Sequence, residues 1–290
     1  MKKRNFLCLL LIVLCIAALV AYRAADRVWT DIVAPEIQVP DDDLVLSVQE
    51  PRQQLLQGVS AFDDRDGNVT SSLIVEDVRL LDASTGRVSV TVAAFDRSGN
   101  VAKATREAVY ADYESPRFSL DRAMVYTQNT GFDPLDDITA SDDLDGDIAY
   151  RIRAVSVDDS SVNNVGTHRI RFKVSNDLGD TVEMELPVEV LAANTYNAQL
   201  ELTDYIVYLE AGQHFSERDY LKSFKFATNS FELNGSLPNH FYMKTYGVVN
   251  TDVPGVYTIS YKVTYDRTTA NGFQSEDCIG YSKIVVVVEG

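Results

Sequence analysis

The side chains with the greatest capacity for chemistry lie in two short acidic stretches. Asp63, Asp64 and Asp66 crowd together ahead of Gly67 and Asn68, and Asp142, Asp143, Asp145 and Asp147 surround Gly146. A further acid follows each set, Asp96 after the first and Asp177 after the second. Calcium takes roughly six to eight oxygen ligands, which clustered carboxylates on a glycine-bearing loop can supply. Asp63, Asp64, Asp66, Asp96, Asp142, Asp143, Asp145 and Asp147 are therefore candidate calcium ligands, and calcium is the one cofactor this sequence suggests. The EF-hand loop with its closing glutamate is not among the motifs. Turn chemistry explains the same residues, because Asp and Asn cap turns through side-chain-to-backbone hydrogen bonds while glycine takes positive φ. Both readings stand at this stage.

Catalytic chemistry has little to work with. His168 is expected on an outward strand position, between Thr167 and Arg169. His214 and His240 have no cysteine or second histidine at metal-ligand spacing. There is no Gly-x-Ser-x-Gly elbow, and Cys278 carries no signature of an activated nucleophile. No catalytic residue is assigned, and the expectation is a protein that is not an enzyme. With 26 basic against 43 acidic residues the chain carries −17, so phosphate backbones would repel it and nucleic acid is not an expected partner.

That charge is unevenly placed. Lys2, Lys3 and Arg4 precede an uncharged run from Phe6 to Tyr22. A positive cluster ahead of an apolar run predicts an N-terminus inside and the rest exported. Two forms are open: an uncleaved signal anchor spanning the membrane through residues 6–22, and a cleaved signal peptide with secretion. Residues 1–30 hold five basic side chains and one acidic, leaving 21 basic and 42 acidic residues, a charge of −21, for the remainder. Such a surface stays soluble and attracts cations.

The exported part repeats. The acidic loop at Asp63–Asn68 recurs at Asp142–Asp147, offset by 79. Gly86 with the alternating run Arg87–Val92 recurs as Gly166 with Thr167–Phe172, offset by 80, and Asp96-Arg97-Ser98-Gly99-Asn100 recurs as Asn176-Asp177-Leu178-Gly179-Asp180 at the same offset. A weaker third copy appears at Pro254–Val263. Within each copy apolar and polar residues alternate with period two, as in Val88, Val90 and Val92, which predicts strands with one face in a core. Turn residues at regular spacing between such strands predict an all-β chain of sandwiches.

The order of an early strand, an acidic Asp-Gly-Asp/Asn loop, glycine with an alternating strand, an Asp-x-Ser-Gly-Asn hairpin and a valine-rich closing strand resembles the bacterial immunoglobulin-like repeats. These occur on envelope proteins, chiefly of Gram-positive bacteria, and in some pesticidal crystal toxins. The resemblance covers residues 33–193 well. It is partial over 194–290, where the acidic loop is missing and an insertion runs through about 227–250. It implies tandem immunoglobulin-like β-sandwiches displayed outside the cell as spacer or binding modules, and implies no activity.

The expected organisation is a basic tip and signal-anchor helix over 1–30, immunoglobulin-like domains over 31–112 and 113–193, and a divergent third domain over 194–290. Ten of the fifteen tyrosines fall after residue 195. Phe231, Phe241, Tyr242 and Tyr246 in the insertion are candidate contacts for a ligand, while Tyr257 and Tyr261 are expected to pack inward; the competing account is that a larger terminal domain needs more aromatic core. The functional expectation is a membrane-anchored extracellular surface protein, single-pass, whose domains act as spacer and adhesion module for cell-wall glycan or a surface protein. The alternative is a structural component of an envelope assembly without a soluble ligand. No wall-sorting signal is read after Glu289-Gly290, so attachment is expected from the N-terminus or from partners.

Overall fold

The computed structural model describes residues 11–23, 31–157, 163–192, 198–226, 228–234, 236–265, 267–269, 272–274 and 278–290. Strands dominate, and the chain divides into two compact units, 1–113 and 114–290.

In the first unit a three-stranded sheet of Glu36–Gln38, Ser60–Asp63 and Gly67–Asn68 accompanies a four-stranded sheet of Leu44–Leu46, Ile74–Asp82, Arg87–Phe95 and Val101–Tyr110. Leu44–Leu46 runs parallel to Val101–Tyr110, and the other pairings are antiparallel. The alternation is obeyed: Val88, Val90 and Val92 are fully buried, each contributing on the order of 2 kcal/mol by leaving water. A register slip of one residue would turn all three outward.

The second repeat has the same wiring. Arg117–Leu120, Ile138–Asp142 and Gly146–Asp147 form the small sheet; Val125–Thr127, Arg153–Ser156, Gly166–Ser175 and Thr181–Leu191 form the large one. Val125–Thr127 again runs parallel to the closing strand. Ile170, Phe172 and Val174 are buried, as their parity requires. That parity also corrects the expectation for His168. It shares the inward face with Ile170, is 3% exposed, and its Nε2 lies 2.7 Å from the Asn164 carbonyl.

In the third repeat a long strand, Cys278–Glu289, lies at the centre of a seven-stranded sheet. It pairs antiparallel with Gly255–Tyr265 and parallel with both Ala198–Leu202 and Ile206–Glu210. Its apolar run fills two cores. Ile284 belongs to the third repeat's own core, whereas Val285 packs with Phe118, Tyr126 and Val190 in the core of the second. A strand buried on both faces loses the alternation that a half-exposed strand keeps.

At this junction Tyr208 donates to the Phe118 carbonyl at 3.1 Å and accepts from its N–H at 2.9 Å. Burial pushes the Tyr208 phenol up to about 12. Lys283, 5% exposed, pairs with Glu189 at 2.9 Å, and Arg117 with Glu289 at 2.8 Å.

Residues 11–23 are helical, with apolar side chains exposed all round. Among the described residues no helix is long and apolar enough to cross a membrane. The start of the expected span, residues 6–10, and the end of the 1–30 segment, residues 24–30, lie outside the described residues.

Candidate metal centre

The strand Ser60–Asp63 delivers its last residue to the end of the first sandwich, where Asp96 arrives from the end of Arg87–Phe95. Asp31, on the segment leading into Glu36–Gln38, completes the group. One carboxylate oxygen from each of Asp31, Asp63 and Asp96 lies within 4.8 Å of the others, and the three residues are 7, 7 and 8% exposed.

Each carboxylate spends part of its capacity on the backbone. Asp63 Oδ1 accepts from the N–H groups of Arg65 and Asp66, both at 2.9 Å, and Asp31 Oδ1 accepts from Val33 N–H at 3.1 Å. The second oxygens of Asp31 and Asp63 are buried and accept no hydrogen bond among the described residues. Asp96 Oδ1 accepts from Asn100 N–H at 2.7 Å. The Asn100 side-chain amide reaches both Asp96 Oδ2, at 2.6 Å, and the Asp31 carbonyl, at 3.2 Å. Desolvation pushes the Asp96 carboxyl up, but the hydrogen bonds from Asn100, Gly99 and Ser98 together outweigh it and hold the group below its ordinary range. The adjacent cation is Arg65, whose Nε is 4.0 Å from Asp31 Oδ2 on a side chain 44% exposed.

Of the other expected ligands, Asp66, Asp142, Asp145 and Asp147 cap turns or tie loops together. Asp64 is exposed, and Asp66 Oδ2 accepts from Arg97 N–H at 2.7 Å, tying the two loops together. In the second repeat Asp142 Oδ1 caps Leu144 and Asp145 N–H at 3.1 and 2.6 Å, Asp145 Oδ2 accepts from Asp177 N–H at 2.7 Å, and Asp147 caps Ala149. Asp143 is exposed. Asn176 replaces Asp96 and caps Leu178 and Asp180 N–H through its amide oxygen. Arg151 then fills the space between the loops, reaching Asp145 at 3.0 Å and Asp177 at 2.9 Å. Asp142 Oδ2 is buried without a hydrogen bond, but among the described residues three acids converge only in the first repeat.

Sequence reasoning missed Asp31, although a signal was present. Asp31-x-x-x-Pro35 recurs as Asp112-x-x-x-Pro116, offset by 81. In the structure Asp112 is spent elsewhere: its oxygens accept from Ser47 Oγ at 2.6 Å and Val48 N–H at 2.8 Å.

The aromatic expectation divides. Phe231 and Phe241 are half-buried against the third core, with ring centroids 6.5 and 4.8 Å from Phe224. Those two pack and are withdrawn as surface contacts. Tyr242 and Tyr246 are exposed on the edge strand Phe241–Tyr246, with the Lys262 ammonium 5.0 Å from the Tyr246 ring centre. The insertion consists of two edge strands, Asn229–Glu232 and Phe241–Tyr246, on opposite margins of the sheet. Tyr261 is fully buried, whereas Tyr257 is half-exposed and donates its hydroxyl to the Val253 carbonyl.

No protein-family model and no curated protein matches this chain. Among solved structures it is similar at 11% identity to the M60 catalytic domain with the CBM51-1 and CBM51-2 domains of Clostridium perfringens ZmpB, covering 90% of this chain and 43% of that one at a TM-score of 0.24. Drosophila N-cadherin EC1-4 matches at 12% identity, 89% and 76% coverage and a TM-score of 0.20. The protocadherin GammaB4 extracellular domain matches at 12% identity, 88% and 49% coverage and the same score. The chain thus spans under half the length of the ZmpB structure.

Proposed function

We propose that this chain is an envelope-anchored extracellular protein in which immunoglobulin-like sandwiches act as spacer and present a binding surface on the fused second and third repeats. The observation that carries the reading is the cleft between those two repeats, about 730 Å³ in volume. Arg122 and Tyr126 line it from the second repeat, and Gln199, Tyr205, Lys222 and Tyr281 from the third. Polar groups interleaved with aromatic rings suit a glycan or a polar peptide, and the volume falls within the usual range of ligand sites. The shared core beneath it keeps the two walls in one geometry, which lowers the cost of ordering on binding. The anchoring reading rests on the basic cluster before the apolar run and on the all-round apolar helix at 11–23.

The test is binding of the full chain to glycan arrays and cell-wall preparations. A fragment of 194–290 alone would expose the Ile206 and Val285 face that packs on the second repeat. Lys222→Ala with Gln199→Ala should weaken capture at least tenfold, while Tyr242→Ala with Tyr246→Ala should leave it unchanged. Capture lost only with the tyrosine pair would move the site to the edge strand. That result would favour the second reading, assembly into an envelope structure through Phe241–Tyr246, whose exposed margin can accept another strand.

A further inference from the structure

The three carboxylates at the end of the first repeat have no purpose in the spacer reading, and their geometry asks for one. A buried ionised carboxylate is costly unless paired or fully hydrogen-bonded. Here Asp31 and Asp63 each keep a buried oxygen that accepts no hydrogen bond among the described residues, next to the third buried carboxylate, Asp96. Turn capping accounts for the first oxygen of each residue and leaves these second oxygens unexplained. Arg65, at 4.0 Å and partly in solvent, offers one positive charge against three negative.

We propose that Asp31, Asp63 and Asp96 bind one divalent cation of calcium's class, and that the second repeat binds none. Oxygens within 4.8 Å of one another can share an ion at about 2.4 Å, which is calcium's bond length. The Asp31 carbonyl and the Asn100 side chain adjoin the group. An amide can be turned to present oxygen in place of nitrogen, so these two, the three carboxylates and water reach roughly the six to eight oxygens calcium prefers. Magnesium, with shorter bonds and a stricter octahedron, fits the spread less well. The ion would tie the segment entering the first repeat to the two loops that end its sheets, so binding should stiffen that end of the sandwich. In the second repeat all three conditions fail: Asn176 stands for Asp96, Asp112 is held by Ser47 and Val48, and the Arg151 guanidinium already lies between Asp145 and Asp177.

The experiment uses the full chain stripped with a chelator and titrated with calcium chloride by calorimetry, with a thermal melt at each concentration. One ion per chain is expected, together with a rise of roughly 10 °C in the first unit's melting midpoint at a hundred-fold excess over Kd. Magnesium should bind at least tenfold more weakly. Asp31→Asn, Asp63→Asn and Asp96→Asn should each weaken calcium at least tenfold, whereas Asp142→Asn should change nothing. Asparagine retains the capping oxygen, so the turns survive. Without calcium the Asp96→Asn chain should melt within about 2 °C of wild type, since the amide oxygen keeps the bond from Asn100 N–H, and this separates lost binding from lost folding. No heat and no thermal shift, two ions per chain, or equal sensitivity to Asp142→Asn would each overturn the proposal.

Discussion

The first and second repeats share wiring, turn positions and most of their capping bonds, yet the ends of the two sandwiches resolve the same electrostatic problem differently. Both bring acidic loops together after equivalent strands, and in both an aspartate from one loop accepts an N–H from the other: Asp66 from Arg97, Asp145 from Asp177. The second repeat neutralises that end with its own Arg151 and exchanges one acid for Asn176. The first has Ser72 where Arg151 stands, keeps Asp96, and adds Asp31. A duplicated fold thus preserves the bonds that close its turns, while a few substitutions decide whether the charge is balanced from within or left for a cation.

The largest test of how alike the repeats are lies in the glycine that begins each alternating strand. Gly86 has φ +65°, and a Cβ there would stand 2.0 Å from the Tyr110 carbonyl oxygen, which is backbone and cannot swing away. Gly166 has φ +141° and open space around it. Gly86→Ala should cost about 4 kcal/mol in urea denaturation, and Gly166→Ala about 1 kcal/mol. Equal costs would show that the two hairpins are interchangeable after all.

Next in size is the closing strand of the second repeat, which is committed to the third. Glu189→Gln leaves the Lys283 ammonium buried without its counter-charge and should cost about 3 kcal/mol, while Lys283→Met should cost less, because Glu189 is the more exposed partner and keeps its bond from Thr167. Burial holds the Lys283 ammonium below its ordinary range, against the opposing pull of Glu189. The unfolded chain therefore binds the extra proton between the folded pKa and about 10.4, and stability should rise with pH across that window. In Glu189→Gln the window should open at lower pH. A flat profile in that variant would mean that the ammonium finds water.

Smaller effects should separate the acidic ends. Arg151→Ala should lower the second unit's melting midpoint by about 3 °C, because Asp145 and Asp177 then face each other. In chelator Asn176→Asp should lower the second unit's midpoint by about 1–2 °C, whereas Asp96→Asn should move the first unit's by less than about 2 °C. A second unit left unmoved by Asn176→Asp would break the idea that these two positions differ in charge balance.

Much of this was readable beforehand. The period-two runs marked the strands because a pleated backbone sends alternate side chains to opposite faces, and Val88, Val90 and Val92 lie buried as their parity demands. The same rule, applied without exception, would have turned His168 inward. The uninterrupted run Ile284–Val288 also carried its message, since a strand without alternation has no wet face. In the metal centre, Asp63 and Asp96 were visible through the repeat, but Asp31 sits outside the acidic loops, and only its spacing to Pro35 marked it.

The sequence by itself determined which residues form strands, where the turns cap, and that the unit was duplicated, since these depend on neighbours within a few positions. Tertiary structure alone decided the rest. Phe231 and Phe241 reached the same Phe224 ring from opposite margins of the sheet, a meeting set by the third repeat's packing. Val285 filled the second repeat's core across a gap of about a hundred residues, and Asp31, from the entering segment, met Asp63 and Asp96 from two strand ends. Convergence of that kind depends on distances set by the whole chain's packing, and no local pattern encodes them.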